Sequence, residues 1–375
     1  MTQSPNFTTS SQQSGITHLP DSNITWVDPQ RRTLFERWFE QMQPIHGLQI
    51  DSLRLASADA SFRRYFRVNR IQEKGANQTQ SLIIMDAPPD KEDCKPFVQI
   101  AGLLQSAGLS APKVLDWHET NGFMLLTDLG AQTMMQGMDP EAPPPLPLYL
   151  QAVDTLVQWQ LASRPGELPL YDRALLTREL ELFPQWYIGP HRQKCIDASM
   201  RKTLDDAFAC IMQNNLSWPS VYVHRDFMPR NLMLAPDAPT LGVLDFQDAV
   251  YGPITYDIAS LMRDAFISWE EDFCLDVTVR YWEKARKAGL PVGDDFGDFY
   301  RGVEWMGLQR HLKVAGIFAR LTLRDGKLKY LADTPRFIHY IYSTCSRYRE
   351  LKPLLRLIEK IEDITVPGVY TFGRA

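Results

Sequence analysis

His224-Arg225-Asp226-Phe227-Met228-Pro229-Arg230-Asn231, with Leu244-Asp245-Phe246 close behind, places two carboxylates and an amide within one short span. The spacing supplies a carboxylate able to accept a hydroxyl proton. It then supplies an amide and a second carboxylate able to hold Mg²⁺ against ATP. Kinase-type phosphoryl transfer needs these parts, because the metal neutralises developing phosphate charge while an Asp positions the nucleophile. Ahead of the motif, Ser220-Val221-Tyr222-Val223 alternates and reads as a short half-buried strand. Residues 231–234 and 241–244 read as two more strands, with turn chemistry in Ala235-Pro236-Asp237-Ala238-Pro239-Thr240 between them. If Leu234 pairs with Leu241, antiparallel register sets Asn231 opposite Leu244 and so beside Asp245. Oxygen ligands gathered at one end of a hairpin suit Mg²⁺. Asp226 lies on the loop entering that end. Asp and Asn as turn formers explain either residue alone, but not the combination.

Gly252-Pro253-Ile254 then breaks the chain, and Thr255 is the candidate N-cap of a helix. Ile258, Leu261, Met262, Ala265 and Phe266 form its apolar face. Asp257 falls in the first turn, where a carboxylate complements the positive end of the helix. There it is also placed to accept hydrogen bonds from backbone amides of the loop carrying Asp226, a structural role rather than a chemical one.

These residues resemble the aminoglycoside-phosphotransferase-like branch of the protein-kinase-like superfamily, through residues 223–234 and 241–261. The order HRD-x-x-x-x-N followed by D-F is specific for that superfamily. Further segments are similar to the bacterial anomeric kinases of N-acetylmuramate and N-acetylglucosamine. They are Ser57-Ala58-Asp59-Ala60-Ser61-Phe62-Arg63-Arg64-Tyr65-Phe66-Arg67, Met85-Asp86-Ala87-Pro88-Pro89, Pro96-Phe97-Val98 and Gly122-Phe123-Met124-Leu125-Leu126-Thr127-Asp128-Leu129-Gly130. The resemblance covers most of residues 50–270. It implies an α+β, protein-kinase-like bilobal fold, with a small antiparallel-sheet N-lobe and a mostly helical C-lobe. It also implies Asp226 as catalytic base, Asn231 and Asp245 as metal ligands, and a hinge from Thr127 to Leu129 whose backbone binds adenine. The implied reaction is ATP- and Mg²⁺-dependent phosphorylation of the anomeric C1 hydroxyl, feeding UDP-sugar synthesis in cell-wall recycling. Other acceptors within the class are an aminoglycoside, choline, homoserine or methylthioribose. A polycationic aminoglycoside favours a strongly acidic cleft, and the acidic cluster here is already accounted for by the metal site. A non-catalytic nucleotide-binding scaffold is the alternative from another class.

Two departures from the kinase pattern motivate that alternative. No G-x-G-x-x-G loop stands near the start, and the third strand, Ser81-Leu82-Ile83-Ile84-Met85-Asp86, carries no Lys. Arg63 and Arg64 on the preceding strand are the nearest cations, and a guanidinium can grip phosphate oxygens in bidentate fashion. Strand alternation sends Arg63 and Arg67 to one face and Arg64 to the other, so one side is expected to meet solvent. All three as solvated surface arginines is the competing reading. Glu92 or Asp93 is the weaker candidate for an acidic partner.

The chain has 375 residues and is 44% hydrophobic, enough for a substantial core and about two domains. A net charge of −5 and a pI near 5.9 argue against nucleic-acid binding. The basic cluster from Arg336 to Arg356 reads as a solvated helix face. Five cysteines without a C-x-x-C predict a reduced, cytoplasmic protein. His224 is expected to pack the loop rather than titrate. No apolar run is long enough to span a membrane. The expectation is a monomer acting on a small-molecule sugar, with neither nucleic acid nor membrane as partner.

Residues 1–28, rich in Ser, Thr, Gln and Asn, read as a flexible tail. The N-lobe is expected over 29–129: a helix from Arg31, strands near 53–57, 62–68, 81–87, 113–117 and 122–127, and a helix over 91–107. The C-lobe is expected over 130–375. It opens with a proline-rich loop at 139–147 that cannot be helix interior. Helices follow after it and near 173–187, 193–214, 270–288, 297–323 and 335–361.

Overall fold

The computed structural model describes residues 24–58, 62–71, 80–139, 141–234, 240–328, 330 and 334–364. Most of the expected tail, the polar turn after Ile71, Asp59-Ala60-Ser61, Pro140 and residues 235–239 of the hairpin turn lie outside them. The chain divides into two compact units, Met1–Val98 with Pro112–Asp128, and Gln99–Ala111 with Leu129–Ala375. Residues 99–111, expected within the N-lobe, group with the second unit.

The first unit begins with α1 (Pro29–His46), where Asp28 accepts a hydrogen bond from the Gln30 amide at 2.8 Å and Pro29 takes the first helical position. Phe35, Trp38, Phe39 and Met42 recur at helical spacing and form its buried face. Five strands follow: β1 (Leu48–Ala58), β2 (Arg64–Arg70), β3 (Ser81–Asp86), β4 (Val114–His118) and β5 (Phe123–Thr127), separated by α2 (Lys95–Ser106) between β3 and β4. They pair antiparallel throughout in the order β1-β2-β3-β5-β4. Period-two alternation sends Phe66, Val68, Leu82, Ile84, Phe123 and Leu125 to one face, where they meet the aromatics of α1. Each such side chain contributes roughly 1.5–3 kcal/mol by leaving water.

The second unit is mainly helical: α3 (Leu146–Leu161), α4 (Arg173–Leu180), α5 (Ala198–Asn215), α6 (Thr255–Met262), α7 (Glu271–Lys287), α8 (Phe296–Leu323), α9 (Thr334–Arg347) and α10 (Lys352–Ile361). Two short antiparallel ladders lie among them. One pairs β6 (Ser220–Val223) with β9 (Val250–Pro253), and the other pairs β7 (Leu232–Met233) with β8 (Gly242–Val243). α8 is buried around most of its circumference, which makes it the spine of this unit.

Several expected elements differ for identifiable reasons. The helix expected over 173–187 stops at Leu180, and a π-helical stretch, Phe183–His191, follows with Pro184 in its first turn. α5 starts at Ala198 rather than 193 because Asp197 caps it, accepting from the Met200 amide at 2.7 Å. The helix expected over 335–361 is broken at Tyr348, since Pro353 favours a new first turn. Thr255 is not the cap of α6: Ile254 takes that position, and the Thr255 hydroxyl is buried without a hydrogen-bond partner. α6 ends at Met262, where Arg263 leaves helical geometry, so Ala265 and Phe266 do not extend its face. The Gly252-Pro253 pair, read as a break, instead closes β9, with Ser220 opposite Pro253. The basic cluster is not simply solvated, because Arg336 donates to the Ala265 carbonyl at 3.1 Å and Arg347 pairs with Glu304 and Glu271. None of the described helices is long and apolar enough to cross a membrane. All five cysteines are unpaired.

Gly122 holds the turn into β5. Its φ is +67°, and a Cβ built there would lie 1.9 Å from the Ala87 carbonyl oxygen. Gly122→Ala is therefore expected to destabilise the first unit by about 2–3 kcal/mol, read as a lower urea midpoint. An unchanged midpoint would show that the turn relaxes freely.

Candidate active site

The β7–β8 hairpin has the register that the sequence predicted. Leu232 lies opposite Val243 and Met233 opposite Gly242. The Leu244 amide donates to the Asn231 carbonyl at 2.9 Å, which brings Asn231 beside Asp245. The Asn231 amide nitrogen donates to the Asp226 carbonyl oxygen at 2.9 Å and lies 3.5 Å from Asp245 Oδ2. Asp226, Asn231 and Asp245 thus converge at one end of this hairpin. His224 joins the two arms through its Nε2, 2.9 Å from the Leu244 carbonyl, and so packs the loop.

Two residues here adopt the left-handed backbone region that favours glycine: Arg225 at φ +76° and Asp245 at φ +60°. Such conformations cost of order 1–3 kcal/mol each and persist only where the surroundings hold them. For Arg225 the holding groups are explicit. The buried carboxylate of Asp257 accepts from the amides of His224 at 2.7 Å and Arg225 at 3.0 Å. Arg310 Nη1 donates to the Arg225 carbonyl at 2.5 Å, and the Ser260 hydroxyl donates to the same carbonyl at 3.3 Å. Asp257 therefore has the structural role expected for it.

Electrostatics separates the two acids. Asp226 keeps 41% of its side chain accessible, and Arg310 Nη2 lies 3.9 Å from its Oδ1. Burial opposes its ionisation, but Lys313, Arg310 and Arg225 outweigh that and hold its carboxyl below the ordinary carboxylate value. Asp245 is pushed up, first by burial and further by the neighbouring Asp226 charge, while the Gln247 amide, 2.9 Å from its Oδ1, opposes the shift. Burial likewise pushes Asp257 up to about 6, against the amides it accepts from.

These residues fit a divalent ion. With the Asn231 nitrogen committed to a carbonyl, its side-chain oxygen is the atom left for coordination. A cation between that oxygen and Asp245 would relieve the repulsion between the two carboxylates. Hard oxygen donors in small number suit Mg²⁺, which keeps several waters or phosphate oxygens. Among the described residues no group of three or more His, Cys, Asp or Glu could hold a metal ion.

The remaining sequence candidates have partners of their own. Arg63, Arg64 and Thr127 belong to the first unit, and Leu129 to the second. Arg63 pairs with Glu92 at 3.1 Å. Arg64 pairs with the buried Asp86, which Arg31 also grips, and its guanidinium stacks over Trp26. Arg67 pairs with Asp128 at 2.6 Å. None of the three is a freely solvated arginine, so the expectation that one side meets solvent is corrected: buried or half-buried carboxylates draw each guanidinium in. The Thr127 amide donates to the Lys113 carbonyl at 3.0 Å, and its hydroxyl accepts from the Lys113 amide at 2.9 Å. Leu129 packs against Gly242, where an added Cβ would lie 2.9 Å from its Cδ1.

Sequence reasoning missed Glu179 of α4 and Gln309, Arg310 and Lys313 of α8. The signal was Gln309, Arg310, His311 and Lys313 set close together between largely apolar turns of the helix, since buried charges require partners. Glu179 supplies one. Its Oε1 accepts from Arg225 at 2.6 Å and lies 3.0 Å from Lys313 Nζ, while its Oε2 accepts from Gln309 at 3.0 Å and from the Tyr171 hydroxyl. Burial opposes its ionisation, yet Lys313 and Arg225 prevail and hold it at about 2.

A carboxyl bound less tightly to its proton when folded stabilises the fold above its ordinary value near 4.5, and loses that contribution as pH falls toward 2. Replacing Glu179 with Gln removes this term. The stability advantage of the unaltered protein over Glu179→Gln is expected to be flat above about pH 5 and to shrink by on the order of 3 kcal/mol toward pH 2. Urea titrations across that range measure it, and a constant difference would contradict the assigned charge state.

Residues 52–296 match the model of the phosphotransferase enzyme family. The N-acetylmuramate/N-acetylglucosamine kinase of Neisseria meningitidis serogroup B is 45% identical over 346 residues, covering 92% of this chain and all of that protein. The enzyme of the same name from Pseudomonas aeruginosa is 46% identical, covering 82% of this chain and 87% of its own. Among solved structures, an aminoglycoside phosphotransferase, APH(2")-IIa, in complex with gentamicin superposes with a TM-score of 0.56 at 15% identity, covering 84% of this chain and 97% of that one. An ethanolamine kinase from Plasmodium vivax gives 0.55 at 10% identity, covering 91% and 94%. At such identities these structures establish the protein-kinase-like fold alone. A sheet unit and a helical unit of this topology, a matching family model and near-full-length relatives together place the chain: it belongs to the phosphotransferase enzyme family.

Proposed function

We propose that this protein phosphorylates the anomeric C1 hydroxyl of N-acetylmuramate and N-acetylglucosamine, using ATP and Mg²⁺. The observation that carries the reading is the convergence of Asp226, Asn231 and Asp245 at the end of the β7–β8 hairpin. The relatives named for these two sugars support the choice of acceptor.

Asn231 and Asp245 are the residues that would hold the divalent ion. When bound, that ion supplies charge neutralisation for the transferring phosphoryl group. Asp226 accepts a hydrogen bond from the acceptor hydroxyl and orients its oxygen for in-line attack. A carboxyl held below its ordinary value is ionised at neutral pH and is a weak base, so its main contribution is alignment. That matches a loose, metaphosphate-like transition state, in which the nucleophile needs little deprotonation before the phosphoryl group moves. An anomeric hydroxyl, more acidic than the other ring hydroxyls because of the adjacent ring oxygen, asks less of the base than they do. The hinge backbone from Thr127 to Leu129 is proposed to meet adenine, and Arg63 and Arg64 to meet phosphate, each after leaving part of its present pairing. We also propose that the protein acts as a cytoplasmic monomer in cell-wall sugar recycling.

Asp226→Ala is expected to retain ATP binding and to lose sugar-dependent ADP release by about two to four orders of magnitude. Turnover on N-acetylmuramate, N-acetylglucosamine, glucose and kanamycin, with phosphorus NMR of the product, tests the acceptor. A C1 phosphate on the two N-acetyl sugars supports the reading. Near-normal turnover by Asp226→Ala, or phosphorylation of kanamycin instead, would overturn it.

A further inference from the structure

Arg225, the residue immediately before Asp226, has its backbone amide, its carbonyl and both terminal guanidinium nitrogens engaged. Its amide goes to Asp257, its carbonyl to Arg310 and Ser260, and its guanidinium to Glu179 at 2.6 Å and the Asp248 carbonyl at 3.4 Å. Its φ of +76° is a conformation the chain does not adopt unaided. Three of these partners, Asp257, Ser260 and Asp248, lie within 35 residues of Arg225 in the sequence. Glu179 and Arg310 differ: Glu179 comes from α4, 46 positions upstream, Arg310 from α8, 85 positions downstream, and no motif announces either.

Glu179 is 4% exposed and satisfies four donors at once: Arg225, Lys313, Gln309 and Tyr171. Two of them, Gln309 and Lys313, stand on α8, which also carries Arg310 beside Asp226. Lys313 further reaches the Tyr256 hydroxyl at 3.2 Å, and Arg310 lies over the Tyr256 ring. The carboxylate thus ties α4, α8 and the loop together at a single buried point. Removing a carboxylate from such a place leaves buried cations that must find other partners, and the guanidinium of Arg225 is the one attached directly to the loop.

We infer that Glu179 is a positioning residue for phosphoryl transfer, acting through the Arg225 guanidinium to fix the direction in which Asp226 presents its carboxylate. The inference rests on Asp226 being the group that orients the acceptor hydroxyl. A displacement of about 1 Å at such a group is enough to cost roughly 100-fold in rate.

The test is a double-mutant cycle between Glu179 and Asp226, read in steady-state kinetics with MgATP and N-acetylglucosamine. Glu179→Gln is expected to lower kcat by about 10- to 100-fold while leaving both KM values within about twofold, the signature of lost alignment rather than lost binding. In an Asp226→Asn background the same substitution is expected to change the residual turnover by less than about twofold, since the group it positions is already disabled. A merely structural role predicts instead that Glu179→Gln slows both backgrounds equally, or raises KM while lowering kcat. Either result, or an unchanged kcat, overturns the inference. If Glu179→Gln alone does not fold, Glu179→Gln with Lys313→Met removes both buried charges and carries the same cycle. Failure of Asp226→Asn to slow turnover would overturn the reading of the site itself. A crippled Asp226→Asn beside a fully active Glu179→Gln would overturn only the role of Glu179.

Discussion

One buried carboxylate fixes the frame on which the chemistry is built. Asp257, in the first turn of α6, accepts the amides of His224 and Arg225 and so holds the backbone at the point where the loop turns toward Asp226. His224, held there, reaches across to the Leu244 carbonyl, which ties the loop to the far arm of the hairpin. Asp226, proposed to align the acceptor, and the two proposed metal ligands are therefore referenced to the same few hydrogen bonds. Asp257 needs no part in bond making for its loss to matter. A site held by rigid elements is more exact than one held by a free loop, and the positive φ of Arg225 is tolerated because these hydrogen bonds hold it.

Charge is distributed around that frame so that neighbouring carboxylates behave differently. Asp226 faces Arg310 and has Lys313 and Arg225 in its field, and it gives up its proton readily. Asp245 is held back by burial and by Asp226 itself, which is the behaviour of a group that improves when a cation arrives. Two of these cations, Arg310 and Lys313, stand on α8, where they are buried and would be costly if unpaired, and Arg225 stands on the loop itself. Glu179 balances Arg225 and Lys313. In the first unit the same rule operates at Asp86, fully buried and gripped by Arg31 and Arg64.

The parts of this arrangement that depend on local spacing were legible in the sequence. Alternation and turn residues placed Asn231 opposite Leu244, and the first-turn position of Asp257 predicted its hydrogen bonds to the loop. The five strands of the first unit and the aromatic face of α1 followed from periodicity. What was not legible came from competition between local signals and tertiary packing. Gly252-Pro253 carries the chemistry of a break, yet pairing with Ser220 and Val221 makes it the end of a strand. Thr255 has the best capping side chain near α6, but Ile254 occupies the cap. Partners of Arg63, Arg64 and Arg67 lie 22 to 61 positions away or on separate strands, where alternation gives a face but no neighbour. Glu179 sits on a short helix with no periodic or motif signal, and its meaning emerges only when Arg225 and Lys313 are brought to it.

A crystal structure of the Asp226→Asn protein with Mg²⁺, a non-hydrolysable ATP analogue and N-acetylglucosamine tests the central claim most directly. The expected density has the ion bound by the Asn231 side-chain oxygen and the Asp245 carboxylate, with the sugar's C1 hydroxyl within hydrogen-bond reach of residue 226. An ion coordinated without those two residues, or a sugar presenting a different hydroxyl to position 226, would contradict it.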